Sequence, residues 1–244
     1  MTSKIYSQLA PLYSHLMRTI DYSVWADYIY SISKTVNKKN LSVLEIAGGN
    51  GIIAGKLKRK FKYYCVCDLS KQMLNLIDEK NIDRICCNMV ALPFKNKFDF
   101  IFSTFDSVNY LTSKPKLQLL FNDISDCLKP NGLFTFDVSL ERNSKTYQKY
   151  LNRKGSINGI KFIQKSFYDE SKRIHYNYFK ITLANGKKVE EIHKQKIYRF
   201  EDYFKIIDGS GFYVVSCKKA FTDKDASAET ERAQFILKKK REVC

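Results

Sequence analysis

The stretch VLEIAGGNGIIAGKL, residues 43–57, decides the fold, because an apolar strand pattern runs through clustered glycines into a helix-like segment. Glycines after a first strand let a ligand approach the backbone N–H groups, where a Cβ atom would collide with it. Residues 49–54 also satisfy the dinucleotide fingerprint G-x-G-x-x-A. The loop therefore predicts a ligand held against bare backbone, and flanking residues must identify it.

An acidic residue about 20 positions after such a loop, at the end of the second strand, accepts hydrogen bonds from ribose hydroxyls. Asp68 stands nineteen residues beyond Gly49 and fills this role. A nicotinamide cofactor and S-adenosylmethionine both contain adenosine, so both stay open at this point.

Three features favour S-adenosylmethionine. Glu45 lies in the strand before the turn, where a carboxylate attracts an ammonium or sulfonium and repels a pyrophosphate. Some forty residues with helical patterns precede the first strand, whereas dehydrogenases often begin near it. The sheet also closes with an antiparallel pair after the fifth strand.

Strand and helix patterns alternate along most of the chain. Helical spacing covers residues 5–36, with Asp21 as a cap between two short helices. Strand-like segments lie at residues 42–47, 63–68, 84–88, 98–103 and 132–138, and helical ones at residues 51–60, 70–80, 114–128 and 200–209. Two closing strands follow at residues 211–217 and 232–239. This order predicts an α/β fold with a Rossmann-like, doubly wound, mostly parallel sheet.

Residues 155–200 break the alternation with three strand-like segments, and Asn185-Gly186 signals a two-residue hairpin turn. That turn places Tyr178 opposite His193 and Lys180 opposite Glu191. Tyr176, Tyr178 and His193 then share one face, whereas His175 lies on the other and cannot join His193 in a metal site. We expect one domain over residues 1–244, with a helical cap at residues 1–40 and this antiparallel insertion as a lid.

Composition limits the class of protein. No apolar run approaches the ~18 residues that a membrane span needs, and the N-terminus lacks a secretion-signal pattern. Seven cysteines, an odd number without C-x-x-C, indicate reduced thiols and a cytoplasmic protein. The net charge of +17 permits a nucleic-acid partner but does not favour one, because lysines spread along the chain and the residue usage fits A+T-rich codons. The one dense basic cluster is residues 238–241.

Four further segments carry a family resemblance: EIAGGNG (45–51), CDLSKQML (67–74), FDFIFSTFDSVNY (98–110) and LKPNG (128–132). Together they resemble class I S-adenosylmethionine-dependent methyltransferases. With YxxLAPLY (6–13) and the insertion, the chain looks most like the small-molecule branch that includes dTDP-amino-sugar N-methyltransferases and glycine N-methyltransferase relatives.

The resemblance implies the cofactor contacts. These are Glu45, Ala47, Gly48, Gly49 and Gly51 in the loop, Asp68, Leu69 and Met73 at the ribose and adenine, Asn88 and Met89 after the third strand, and Phe105 after the fourth. Ala47 replaces the commonest first glycine, and Asn88 replaces a usual Asp. Tyr110 stands where sugar-methylating relatives often carry His, which puts a His base at that position in doubt.

The candidate catalytic residues are Tyr13, Asp106, Asn109 and Tyr110, because the methyl acceptor of this fold sits after strand four under the helical cap. The candidate substrate contacts are Tyr13, Tyr178, His193 and Arg232, the last matching an arginine near the active site of sugar-methylating relatives.

An amine need only lose a proton before it attacks a sulfonium, whereas a hydroxyl needs a base or a metal. No His, Asp and Glu cluster has metal-ligand spacing. We therefore expect metal-free methylation of a small molecule, an amine in preference to a hydroxyl, by a monomer or homodimer. A tRNA or rRNA methyltransferase, or a non-catalytic S-adenosylmethionine-binding regulator, are the alternatives.

Overall fold

The structure is a computed structural model that describes residue 6 and residues 9–240. The first part of the predicted helical region and Arg241 of the basic cluster lie outside these residues. The helices are α1 Ala10–Leu16, α2 Tyr22–Ser33, α3 Ile52–Leu57, α4 Lys71–Leu74, α5 Lys114–Cys127, α6 Glu141–Tyr147 and α7 Phe200–Asp208. The strands are β1 Ser42–Ile46, β2 Tyr63–Asp68, β3 Asp83–Cys86, β4 Phe98–Ser103, β5 Leu128–Ser139, β6 Arg153–Ile157, β7 Ile160–Asp169, β8 Ile174–Thr182, β9 Lys188–Lys196, β10 Phe212–Lys219 and β11 Arg232–Lys239.

The main sheet has seven strands in the order β10-β11-β5-β4-β1-β2-β3. β1 to β5 pair in parallel, and β11 joins β5 and β10 in antiparallel fashion. The predicted Rossmann-like fold with an antiparallel closing pair is therefore confirmed. The strand order reverses between β1 and β4, and ligands of such sheets bind outside the strand ends at this point.

Helices cover both faces of this sheet. α2 and α3 pack on one face, where Trp25, Ile29 and Ile53 are buried against Val43 and Phe100. α5 and α7 pack on the other. All six residues of β4 are buried, as expected for a central strand covered on both sides. Each fully buried aromatic or aliphatic side chain contributes about 1.5–3 kcal/mol.

Local signals set several boundaries. The Asp21 carboxylate accepts hydrogen bonds from the N–H groups of Ser23 and Val24 at 2.9 and 3.2 Å, which confirms the predicted cap. α4 ends at Leu74, six residues before the predicted end, and the chain beyond it buries Ile77. No helix in the described residues is long and apolar enough to cross a membrane. The six cysteines in that part of the chain are free thiols.

The predicted insertion is a separate antiparallel sheet with the order β6-β7-β8-β9. The sequence analysis missed β6. It is joined to β7 by Asn158-Gly159, whose φ angles of +48° and +76° form the two-residue turn that Asn-Gly favours.

The predicted register between β8 and β9 is wrong by one residue. Tyr178 lies opposite Ile192, and His193 lies opposite Asn177. The reason is the turn: Gly186 donates to the Leu183 carbonyl at 2.8 Å, and Leu183 donates to the Lys187 carbonyl at 2.9 Å. These bonds close a three-residue loop with Gly186 at a φ of +81°, instead of a two-residue loop.

A one-residue slip moves every side chain of a strand to the other face relative to its partner. His193 therefore shares the inner face of the small sheet with His175 and Asn177, and the predicted separation of the two histidines is wrong. Tyr176 and Tyr178 lie on the outer face, so they form no common wall with His193. His175 instead hydrogen-bonds the Ser166 and Ser144 hydroxyls at 2.6 and 3.0 Å.

Candidate active site

A cavity of about 620 Å³ lies at the carboxyl ends of the parallel strands. The glycine loop after β1 and Asp68 at the end of β2 form its floor. Side chains from α1 and the inner face of the small sheet close it from above, among them Tyr13, Gln164 and His193. The cavity therefore joins the predicted cofactor loop and the insertion in one site.

Asp68 holds the glycine loop in place. Its carboxylate accepts hydrogen bonds from the N–H of Gly49 at 2.9 Å and the N–H of Ser70 at 2.7 Å. Burial raises the pKa of Asp68, and these backbone hydrogen bonds oppose the rise. A Cβ atom at Gly48 would lie 2.6 Å from Val66, so this position requires glycine. Asp68 thus fixes the loop and also lines the cavity where a ribose could bind.

Glu45 is a buried acid at the floor of the cavity, with 1% of its surface exposed. It accepts a hydrogen bond from the Tyr64 hydroxyl at 2.8 Å. Burial raises the pKa of Glu45 to about 8. Within the described residues it forms no salt bridge, so a bound cation would stabilise its ionised form.

This arrangement predicts a pH-dependent affinity for S-adenosylmethionine. A donor carrying an ammonium and a sulfonium favours the charged form of Glu45, so binding must displace a proton when the pH is below about 8. We expect the affinity to rise as the pH increases from 6 to 7, a range that lies below the pKa of about 7.7–8.0 at which an α-ammonium such as the donor's loses its proton. Calorimetry across this range checks it, and Glu45→Gln should remove the dependence. If the affinity changed with pH equally in wild type and in Glu45→Gln, Glu45 would not be the group that binds the cationic part of the donor.

Three tyrosines gather on the side of the cavity that lies under α1 and the small sheet. The hydroxyls of Tyr6 and Tyr110 are 2.8 Å apart, and the Tyr6 ring meets the edge of Tyr13 with 5.5 Å between centroids. Burial raises the pKa of both Tyr6 and Tyr110, so their phenols stay protonated near neutral pH.

His193 connects these tyrosines to a buried carboxylate. Its Nδ1 lies 3.0 Å from the Tyr110 hydroxyl, and its Nε2 lies 3.2 Å from Glu191 Oε2. A carboxylate oxygen accepts hydrogen bonds, so Nε2–H donates to Glu191. Nδ1 is then free to accept from Tyr110. Glu191 also accepts the backbone N–H groups of Tyr6 and Leu9 at 2.9 and 3.0 Å, which ties the chain before α1 to β9.

A cluster of charged side chains lies beyond the end of β4. Arg232 forms salt bridges with Asp106, at 2.7 Å, and with Asp137. Gln195 donates to the other Asp106 oxygen at 2.5 Å. Phe105 and Asp106 both have positive φ angles, +59° and +49°, which are unusual for residues with side chains. Backbone strain of this kind is retained where it positions a functional side chain. Here it places the Asp106 side chain at the cavity.

Most predicted site residues meet in this cavity. They are Tyr13, Glu45, Ala47, Gly48, Gly49, Asp68, Leu69, Met73, Asn88, Met89, Phe105, Asp106, Tyr110, His193 and Arg232.

Three predicted residues do not line it. Gly51 has a φ of +71° and packs under Ile77. Tyr178 is 40% exposed on the outer face of the small sheet. Asn109 is buried, and its amide donates to the carbonyls of Ser139 and Lys196 at 3.1 and 2.8 Å. The structure therefore gives Asn109 a role in joining the two sheets.

Four residues of the site were not predicted from the sequence: Tyr6, Glu191, Gln195 and Asp137. Glu191, His193 and Gln195 alternate along β9, so the correct hairpin register would have placed all three on the cavity face. Tyr6 begins the YxxLAPLY segment, but its partners Tyr110 and Glu191 are far away in the sequence, so no neighbouring residue indicates its place in the site.

Known proteins resemble this chain in sequence and fold. Residues 43–132 match a family model described as a methyltransferase domain. "Putative methyltransferase YqeM" of Bacillus subtilis is 27% identical over 98% of this chain and 99% of its own length. A Geobacillus protein with the same type of description is 26% identical over 96% of this chain and 99% of its own length.

Two solved structures share the fold. An S-adenosylmethionine-dependent methyltransferase from Clostridium acetobutylicum has a TM-score of 0.79 at 24% identity, covering 98% of this chain and 100% of its own. The sugar N-methyltransferase KedS8 from Streptoalloteichus has a TM-score of 0.75 at 15% identity, covering 99% of this chain and 95% of its own.

Proposed function

We propose that this chain, an S-adenosylmethionine-dependent methyltransferase, methylates a small molecule on an amine without the help of a metal ion. The observation that carries the proposal is the cavity itself. Its volume of about 620 Å³ falls in the usual range of small-molecule sites, and α1 and the small sheet cover it. The residues described include no cluster of side chains suited to holding a metal ion.

The donor supplies a methyl group on a positively charged sulfur, which is a good leaving group. The protein then has to align the nucleophile, exclude water and manage one proton. Glu45 and Asp68 would hold the two ends of the donor, and Asp106, fixed by Arg232 and Gln195, would orient the acceptor from the opposite side.

An ammonium acceptor must lose a proton before it attacks. The Glu191–His193–Tyr110 chain provides a place for that proton: His193 Nδ1 accepts it, through the Tyr110 hydroxyl, while Glu191 stabilises the imidazolium that forms. In this proposal Tyr110, which stands where sugar-methylating relatives often carry His, acts together with His193 from β9.

A methyl-transfer screen with the purified protein tests the proposal. Formation of S-adenosylhomocysteine is measured with amines, amino sugars, matched hydroxyl compounds and bulk tRNA as acceptors. We expect turnover with an amine in preference to its hydroxyl analogue. Turnover with tRNA alone would support the RNA alternative, and no turnover with any acceptor would support a regulator, although the open cavity argues against that.

With the amine acceptor, replacing His193 by Gln should lower kcat/KM about 10²-fold near pH 7. The loss should shrink as the pH rises, because the free amine then deprotonates in solution. Affinity for S-adenosylmethionine should stay the same. His175→Gln is the matched control, since His175 lies on the same sheet face but away from the cavity. A pH-independent loss would show that His193 only supports the structure.

A further inference from the structure

The small-sheet end of the cavity contains an arginine that forms no salt bridge with any residue the structure describes. Arg153, the first residue of β6, lines the cavity beside Gln164 and Asn177. Its Nε donates to Gln164 Oε1 at 2.8 Å, and Gln164 Nε2 donates to Asn177 Oδ1 at 3.0 Å. Gln164 is 4% exposed, so this chain of hydrogen bonds holds the guanidinium in one orientation.

The charge of Arg153 is uncompensated. Among the described residues it forms no salt bridge, and Nε makes the one hydrogen bond of its guanidinium group there. Burial lowers the pKa of Arg153, and the nearby charge of Arg18 lowers it further. A half-buried cation close enough to feel a second cation is costly unless an anion binds beside it.

From this geometry we infer that Arg153 binds an anionic group, a carboxylate or a phosphate, on the methyl acceptor. With Nε engaged by Gln164, Nη1 and Nη2 are left for two parallel hydrogen bonds to an oxyanion. The inference rests on the proposed function, because it describes the substrate of the same site.

The small sheet also sets the length of such an acceptor. Asn177 lies opposite His193 in the register of β8 and β9, so the inner face leads from Arg153 across the sheet to the proposed proton acceptor. β6 and β9 are three strand spacings apart, about 14 Å. The acceptor therefore carries its charged group at the end far from the atom that is methylated.

Calorimetry tests the inference without knowledge of the acceptor. Inorganic pyrophosphate, phosphate and glutarate are titrated into the full chain saturated with S-adenosylhomocysteine. We expect at least one of these anions to bind, and Arg153→Gln to weaken it at least about tenfold. Arg153→Lys keeps the positive charge but loses the paired N–H donors of the guanidinium group, so its affinity for the anion should lie between those of wild type and Arg153→Gln. Tighter binding of phosphate or pyrophosphate would indicate an acceptor with a phosphate group, and tighter binding of glutarate would indicate an acceptor with a carboxylate.

Lys154→Gln is the matched control, because Lys154 is the next residue of β6 and is exposed on the opposite face. It should bind anions within about twofold of wild type. Thermal unfolding verifies that each variant is folded.

The inference is overturned if wild type binds none of the anions or if Arg153→Gln binds them like wild type. Anion binding is measured without methyl transfer. If the acceptor screen finds no turnover, the anion titrations still test the role of Arg153. If the anion titrations fail, the proposal that the protein methylates an amine is unaffected.

Discussion

Replacing Arg232 by Met will destabilise the protein by about 3–5 kcal/mol near pH 7.5, the usual cost of removing one partner from a buried salt bridge. Arg232 compensates Asp106 and Asp137, and the Asp137 side chain is fully buried. Met keeps much of the volume that packs near Trp25 but leaves two carboxylates without a cation. Urea unfolding measures the change.

The size of this effect depends on pH in a defined direction. Burial already raises the pKa of Asp137 to about 6, although Arg232 opposes it. Without the arginine the folded-state pKa rises further, so the folded variant takes up protons that the unfolded chain does not. Its stability therefore recovers as the pH falls through this raised pKa towards about 6, and the difference from wild type narrows over that range; below about 6 the Asp137 of the wild type takes up a proton as well.

Arg142→Met is the control for this experiment. Arg142 lies 4.0 Å from Glu231 in an exposed ion pair, whose loss should cost less than about 0.5 kcal/mol. The buried-charge explanation would be contradicted if both variants lost the same free energy of unfolding. It would also be contradicted if the destabilisation by Arg232→Met grew as the pH was lowered.

Asp68→Ala will weaken binding of S-adenosylmethionine by about 1.5–3 kcal/mol, which corresponds to a loss of more than tenfold in affinity. Two effects combine. The variant loses the acceptor proposed for the ribose hydroxyls, and it also frees the N–H groups of Gly49 and Ser70 that the carboxylate now holds. Calorimetry of wild type and variant at the same pH measures the change in affinity.

Asp68→Asn separates these effects, because its amide oxygen can keep one backbone hydrogen bond but not the charge. Its loss should be smaller than that of the Ala variant. Asp78→Ala removes an exposed carboxylate outside the cavity and should leave the affinity unchanged. Wild-type affinity in Asp68→Ala would rule out the ribose assignment.

Parts of the fold and site that depend on neighbouring residues were predictable. The glycine loop, Asp68 at the end of β2 and the Asp21 cap each follow from residues within a few positions of one another. The register between β8 and β9 could not be predicted, because Asn-Gly is compatible with two kinds of turn whose loops differ by one residue. That difference moved His193 onto the cavity face with Asn177 and left Tyr178 outside.

The sequence by itself determined the alternation of strands and helices in the main sheet and the position of the glycine loop, since hydrophobic period and glycine placement act locally. Tertiary structure alone decided which polar side chains share the cavity. Tyr6, Tyr110, Arg153 and His193 come from separate segments, and only folding brings them together. Their hydrogen bonds exist because burial removes water, which leaves each polar group dependent on another protein group for its partner.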